Sequence, residues 1–392
     1  MRNIYLFNPE NDLAIAHGKK RYDAPKAARR LAADMALLPL WYAKENSESC
    51  VLTQTEIPAD FQKEVLDRLS VKAKWVTQEA YRFQSGDVFR PWGWSPALLE
   101  RLEPLSEGNL SSPDLSVYRR LSGRQFAVFV LEQLRVRGVL DASVKIPVVA
   151  ESLQELSSAV ASFGFACLLK SPWSGSGKGL LWLRDGWSEK AALWSNHVLK
   201  RQGSVVCEPQ YAKVQDFAME FCVEQSQLSF VGYSYFQTDE SGTYRGNLLA
   251  SDERIEQKLS AWLPNPLLQT MRTALLSILS EYLAPFYEGY FGIDMMVCEA
   301  GGRYFLHPCV ELNLRYNMGV VSHILFDRYV ASTVEGEYTI LHGRNSDELR
   351  AFCARMQAEH PLQIEQGRVT SGFLPLTYIG EGSEFLAYMV VL

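Results

Sequence analysis

Apolar and polar positions follow two rhythms along this chain. Residues 4–7 form a short apolar run that reads as a buried strand, and Asn8-Pro9 ends it. Asp12 is placed to cap residues 13–16. Residues 26–42 set Ala and Leu at helical spacing, and residues 50–53 read as a strand. Phe61, Val65, Leu66 and Leu69 share one helical face. This alternation predicts an open α/β layer. Residues 104–113, with Pro, Ser, Gly and Asn, read as a linker and mark a boundary. Beyond it the pattern predicts helices over 125–135, 152–163 and 266–283; Ser152 followed by Glu155 has capping-box spacing. Strands are expected over 165–170, 179–183, 204–208, 217–223, 228–236, 292–298, 303–306 and 385–392. Residues 299–302 (Glu-Ala-Gly-Gly) between two of these have the composition of a hairpin turn.

Composition narrows the classes. The chain has 392 residues, 47% hydrophobic and 21% charged, enough to bury a substantial core and to exclude a disordered or fibrous protein. The formal charge is −6, so no basic surplus supports nucleic acid as a main partner. Seven cysteines at wide spacings, with no Cys-x-x-Cys, fit neither a disulfide framework nor a structural zinc site. No apolar run approaches the ~20 residues of a membrane span, and the first apolar run is too short for a signal-peptide core. A cytoplasmic location, with no membrane partner, is the expectation.

Four segments can carry chemistry. Lys170 ends a strand, and Ser171-Pro172-Trp173-Ser174-Gly175-Ser176-Gly177-Lys178-Gly179 follows. Small residues let backbone N–H groups turn toward an anion, and the two lysines can serve phosphate oxygens. The Walker and dinucleotide glycine patterns both fail here. Taken alone, the segment reads equally as a flexible hairpin or a phosphate cradle. In Val310-Glu311-Leu312-Asn313-Leu314-Arg315, the three polar residues share one strand face. A carboxylate beside an amide oxygen suits Mg²⁺, and the arginine can grip phosphate or carboxylate; a polar outer strand face is the other reading. Asp294 is a lone acid in an apolar strand, needing a cation or donors if buried, and otherwise facing solvent. Glu208-Pro209 ends a buried strand, where free backbone groups could meet a purine edge; a strand-end turn is the plainer reading.

In this order these residues resemble the ATP-grasp superfamily of ATP-dependent ligases, over about half of the chain (residues 118–319). The resemblance implies an α/β chain of the α+β ATP-grasp kind. An N-terminal α/β domain (1–112) would precede two subdomains clamping the nucleotide (113–212 and 213–330), with an extension packing on the core (331–392). It implies Lys170 and Lys178 as ATP phosphate contacts and residues 174–179 (Ser174, Gly175, Ser176, Gly177, Lys178, Gly179) as the flap. It also implies Glu208 as the hinge acid, backbone near Gln210 and Tyr211 facing the adenine, and Asp216 at the ribose. Glu311, Asn313 and Asp294 would hold Mg²⁺, and Arg315 and Lys178 would act in catalysis. The activity implied is ligation: ATP activates a carboxylate as an acyl phosphate, which an amine or similar nucleophile attacks. A small-molecule kinase and a non-catalytic nucleotide-binding module are the alternatives. Small-molecule or peptide carboxylates and amines are the implied partners, and a homodimer is allowed. Asp294 lies 17 residues before Glu311. With a four-residue turn it would face His307, about 13 Å short of Glu311 at ~3.3 Å per residue, unless Pro308 forces a bulge. His307 and Cys309 read as packing residues.

Overall fold

Among the described residues the strands form three sheets. The computed structural model describes every residue except 1, 46, 47, 165, 176–178 and 239–243. The first sheet is parallel, in the order β3-β2-β1-β4, from β1 (Arg2–Leu6), β2 (Ser49–Thr53), β3 (Lys74–Thr77) and β4 (Asp87–Pro91). Ile4, Tyr5 and Leu6 are all buried, as expected of a strand covered on both faces. The expected helix over 26–42 is two helices, Lys26–Asp34 and Pro39–Tyr42. Pro39 lacks an N–H for the ladder and opens the second one instead.

The second sheet is antiparallel, ordered β5-β8-β6-β7: β5 (Val148–Ala150), β6 (Cys167–Lys170), β7 (Leu180–Leu183) and β8 (Val205–Pro209). The third has nine strands, in the order β13-β12-β9-β10-β11-β14-β17-β16-β15. These are β9 (Ala212–Glu224), β10 (Gln227–Thr238), β11 (Tyr244–Leu249), β12 (Gly289–Ala300), β13 (Arg303–Asn313), β14 (Gly336–His342), β15 (Gln363–Glu365), β16 (Arg368–Pro375) and β17 (Phe385–Val391).

Alternation along β9 and β12 decides which face is which. Phe217, Met219, Phe221 and Val223, with Phe291, Ile293, Met295 and Val297, enter one core with the helices Arg124–Val136 and Asn265–Tyr282. Each such buried side chain contributes roughly 1.5–3 kcal/mol. The intervening residues, Asp216, Ala218 and Glu220 on β9 and Gly292, Asp294 and Met296 on β12, therefore line the opposite face.

The β12–β13 hairpin departs from expectation in a way that matters for the site. Ala300 pairs with Arg303, so the turn has two residues, Gly301 and Gly302, not four. Both have positive φ (59° and 79°), which glycine adopts without a Cβ penalty. A bulge then shifts the register between Asp294 and Met296, opposite Pro308. Met296 pairs with His307, whereas Asp294 pairs with Glu311. The short turn and the bulge together remove the separation anticipated between the two acids.

Candidate functional site

Directly opposed residues in antiparallel strands share a face, and the registers of β9, β12 and β13 define three rows. Asp216, Met296 and His307 form the first; Ala218, Asp294 and Glu311 the second; Glu220, Gly292 and Asn313 the third. Successive rows lie about 7 Å apart.

The second and third rows gather hard oxygen donors. Asn313 Nδ2 donates to Asp294 Oδ2 at 3.0 Å. Burial, and then the neighbouring Glu311 carboxylate, push the Asp294 carboxyl up to about 7. Two acids on paired positions with that electrostatic penalty call for a cation between them. Two carboxylates and an amide oxygen suit Mg²⁺. Among the described residues no three His, Cys, Asp or Glu side chains converge as a metal cluster, so the set depends on Asn313.

Guanidinium groups face the same oxygens. Arg124 Nη2 donates to Glu311 Oε2 at 2.8 Å, while its Nη1 donates to Ser171 O and Ser174 Oγ. Arg124 is buried and opens the helix Arg124–Val136, so it ties the loop root to the acid of another sheet. Arg315 donates to both Asp12 oxygens, at 3.0 and 2.7 Å, and to Asn313 Oδ1 at 3.1 Å. Burial alone would ease its proton off, but Asp12 holds its pKa above the ordinary value.

Glu220 lies beneath the first turn of the helix Met318–Tyr329. Asn317 caps that helix, accepting from Val320 N, and donates Nδ2 to Glu220 Oε2 at 2.9 Å. A Cβ on Gly292 would stand 2.3 Å from Glu220 Oε2, and one on Gly319 2.0 Å from Oε1. The two glycines leave the space that the carboxylate fills. Burial, countered only partly by Asn317, pushes it up to about 8.

The first row adjoins the second sheet. Lys170 Nζ and Glu208 Oε1 are 2.6 Å apart, with side chains 4% and 7% exposed. Gln210 N donates to Ala166 O, so the free backbone donor expected at Gln210 is already used. Tyr211 Oη accepts from Lys145 N, and the Tyr211 ring lies edge-on to His307, 5.1 Å between centroids. His307 is 1% exposed, and neither ring nitrogen has a hydrogen-bond partner. Burial, and then the Lys170 cation, lower its pKa to about 3, so the ring is neutral. Buried polar atoms left unpaired are costly, and a ligand supplying partners is one remedy. Asp216 accepts from Lys213 Nζ and from Thr238 Oγ1 at 2.6 Å.

The structure thus brings Lys170 to Glu208, Asp294 to Glu311 and Asn313, and Arg315 to Asn313. Ser174 reaches this group through Arg124, and Gly175 lies against Asp12. Gly179 stays at the loop's far root, its carbonyl accepting from Ser171 N. Ser176, Gly177 and Lys178 lie outside the described residues. Sequence reasoning missed Arg124, the pairing of Asp12 with Arg315, and Glu220. Gly123-Arg124 at a helix start carries no distinguishing pattern. Glu220, a lone acid in an apolar strand like Asp294, did carry one.

No family model and no curated protein matches the chain. Solved structures do. An N5-carboxyaminoimidazole synthetase from Staphylococcus aureus, complexed with ADP, matches with a TM-score of 0.51 at 12% identity, over 100% of this chain and 93% of that one. A biotin carboxylase from Campylobacter jejuni, in a β,γ-ATP complex, matches at 0.50 and 10%, over 100% and 87%. The biotin carboxylase domain of 2-oxoglutarate carboxylase from Hydrogenobacter thermophilus, with MgADP, ADP and bicarbonate, matches at 0.50 and 11%, over 100% and 86%. Three sheets in this order, matched along the whole chain by those enzymes, give this protein the ATP-grasp fold.

Proposed function

We propose that the protein is an ATP- and Mg²⁺-dependent ligase that activates a carboxylate as an acyl phosphate for attack by an amine or a similar nucleophile. One observation carries this reading: Arg124, Asp294, Glu311, Asn313 and Arg315, from three separate segments, meet at the root of a Gly/Ser loop preceded by the buried Lys170. ADP or MgADP in structures of the same fold supports the nucleotide part.

Each residue then has a task. Lys170 and Lys178 hold phosphate oxygens, with Glu208 keeping the Lys170 ammonium in place. Ser174 to Gly179 cover the phosphates, and loop closure excludes water from the activated carboxylate. Asp294, Glu311 and Asn313 would hold Mg²⁺, which neutralises charge on the transferred phosphoryl group when bound. Arg124 and Arg315 present fixed guanidinium forks to developing oxyanions, at no reorganisation cost because Ser171, Ser174 and Asp12 already orient them. Asp216 suits a ribose hydroxyl, and the backbone at Gln210 and Tyr211, apart from the Gln210 N–H that Ala166 holds, suits the base. The carboxylate oxygen takes the γ-phosphoryl group as that group's bond to ADP breaks and ADP leaves. The amine nitrogen then attacks the carbonyl carbon, phosphate leaves, and the nitrogen gives up a proton to it.

The test is release of ADP and phosphate from ATP, across panels of carboxylic acids and amines. The expected result is ADP release that requires an acid, with hydroxylamine trapping a hydroxamate. A stable phosphorylated hydroxyl product, or no acid-dependent ADP across the panels, would refute the reading.

A further inference from the structure

A cavity of about 860 Å³ opens over the carboxyl ends of the parallel sheet. Gln54 and Gln78, the first residues after β2 and β3, line it, as do Glu10 from the turn after β1 and Arg101 of the helix Pro96–Leu102. In open α/β sheets, ligands bind outside the carboxyl ends of the strands. The volume falls within the range of small-molecule sites. Between β1 and β4, Asn8 Nδ2 donates to Gly93 O at 2.8 Å, and Ser95 and Ala97 after β4 complete the wall.

The polar atoms facing this space are incompletely satisfied. Arg101 Nη1 and Glu10 Oε1 approach only to 3.6 Å, too far for a hydrogen bond. Arg101 Nε and Glu10 Oε2 are shielded from solvent and have no partner. Burial lowers the Arg101 pKa and raises that of Glu10, and the attraction between the two charges offsets this only in part. Together they ask for an oxyanion that accepts from the guanidinium and a donor that reaches the carboxylate. Lys20 and Arg21 on the wall add positive charge, while Arg29 is paired with Asp23 and Glu100 is an acid of the same wall.

The cavity is separate from the reaction centre. Helix α1 (Asn11–His17) turns Ala14 toward the cavity and Asp12 toward Arg315. Two residues apart on a helix, these positions point about 160° from each other.

We propose that this cavity is a second small-molecule site, for a compound carrying a carboxylate or phosphate beside a hydroxyl or ammonium group. Arg101 takes the oxyanion, Glu10 the adjacent donor, and Gln54 and Gln78 the remaining polar edge.

The test is calorimetric titration of the full chain, without nucleotide, with malate, aspartate, succinate and glucose. Concentrations up to about 10 mM reveal any Kd near 1 mM. Malate or aspartate is expected to bind at least about tenfold more tightly than succinate, and glucose not at all. Malate against aspartate tells a hydroxyl from an ammonium donor. Arg101→Gln should weaken binding about tenfold, and Glu10→Gln should erase the advantage over succinate. Gln54→Leu, at an exposed rim position, should weaken binding with an unchanged unfolding curve, which separates loss of the site from loss of the fold. Absence of heat with both malate and aspartate, or wild-type affinity in Arg101→Gln and Glu10→Gln, overturns the proposal. Arg101 and Glu10 line no part of the pocket at Asp12, Glu311 and Asn313, so loss of binding in their variants is distinct from binding at the ligase site.

Discussion

The Lys170–Glu208 pair separates what the fold needs from what a nucleotide needs. Both side chains are almost fully buried and 2.6 Å apart, on neighbouring strands β6 and β8. Removing one partner of such a pair leaves an uncompensated charge in a low-dielectric setting, at a cost of about 3–5 kcal/mol. That is a large share of the ~5–15 kcal/mol that holds a typical domain together. Lys170→Met should therefore lose about 3–5 kcal/mol in urea unfolding. Lys170→Met combined with Glu208→Met replaces both charges by apolar groups of similar volume, and should return to within about 1 kcal/mol of wild type. Affinity for ADP should not return, because no ammonium remains to hold a phosphate. Calorimetric titration of ADP into the double variant makes the comparison, with at least about a tenfold loss expected. If the single variant loses under about 1 kcal/mol, the pair is not the desolvated unit described. If the stabilised double variant binds ADP as wild type does, Lys170 is not a phosphate contact.

Three further outcomes follow from the site. Glu220 is held as the neutral acid, its folded pKa near 8 lying above the unfolded value of 4.5. This contribution is complete below pH ~4.5 and is lost as pH rises through ~8, at up to about 1.4 kcal/mol per unit; Glu220→Gln should unfold with progressively greater advantage at pH 5, 7 and 9, and parallel curves would refute the assignment. His307→Leu removes two unpaired buried nitrogens, so it should raise stability by about 1 kcal/mol while weakening ADP binding several-fold; greater stability with unchanged affinity would show that the imidazole does not meet the nucleotide. Asp12→Asn leaves Arg315 with one strong acceptor fewer; turnover should fall by up to about a hundredfold with ADP affinity unchanged, and wild-type turnover would remove Arg315 from the reaction.

The strands of the site were legible because β9, β12 and β13 carry apolar runs buried on both faces, which the turn residues Gly301 and Gly302 interrupt. Glu311 and Asn313 were readable as one face from residues two apart on a strand, whereas Arg315 lies beyond the end of β13 and reaches Asn313 from the bend. The meeting of Asp294 with Glu311 was only half legible. Pro308 signalled a bulge, but the turn length depends on whether both glycines take positive φ, which composition alone leaves open. Arg124 was illegible because its role comes from long-range packing, bridging Ser171 and Glu311 across distant chain positions. Residues 26–42 looked like one helix because their apolar spacing outweighed Pro39 in the reading, whereas the missing amide decided the fold.

The strand order of the large sheet has a consequence for biosynthesis. β17 lies between β14 and β16, and β14 covers the flank of β11. Until residue 391 has emerged from the ribosome, β14 has no neighbour on its outer side, and the upstream strands wait with an open row of amides and carbonyls. Nascent chains are thus open to edge-to-edge pairing until β17 has been made, after the residues of the candidate site.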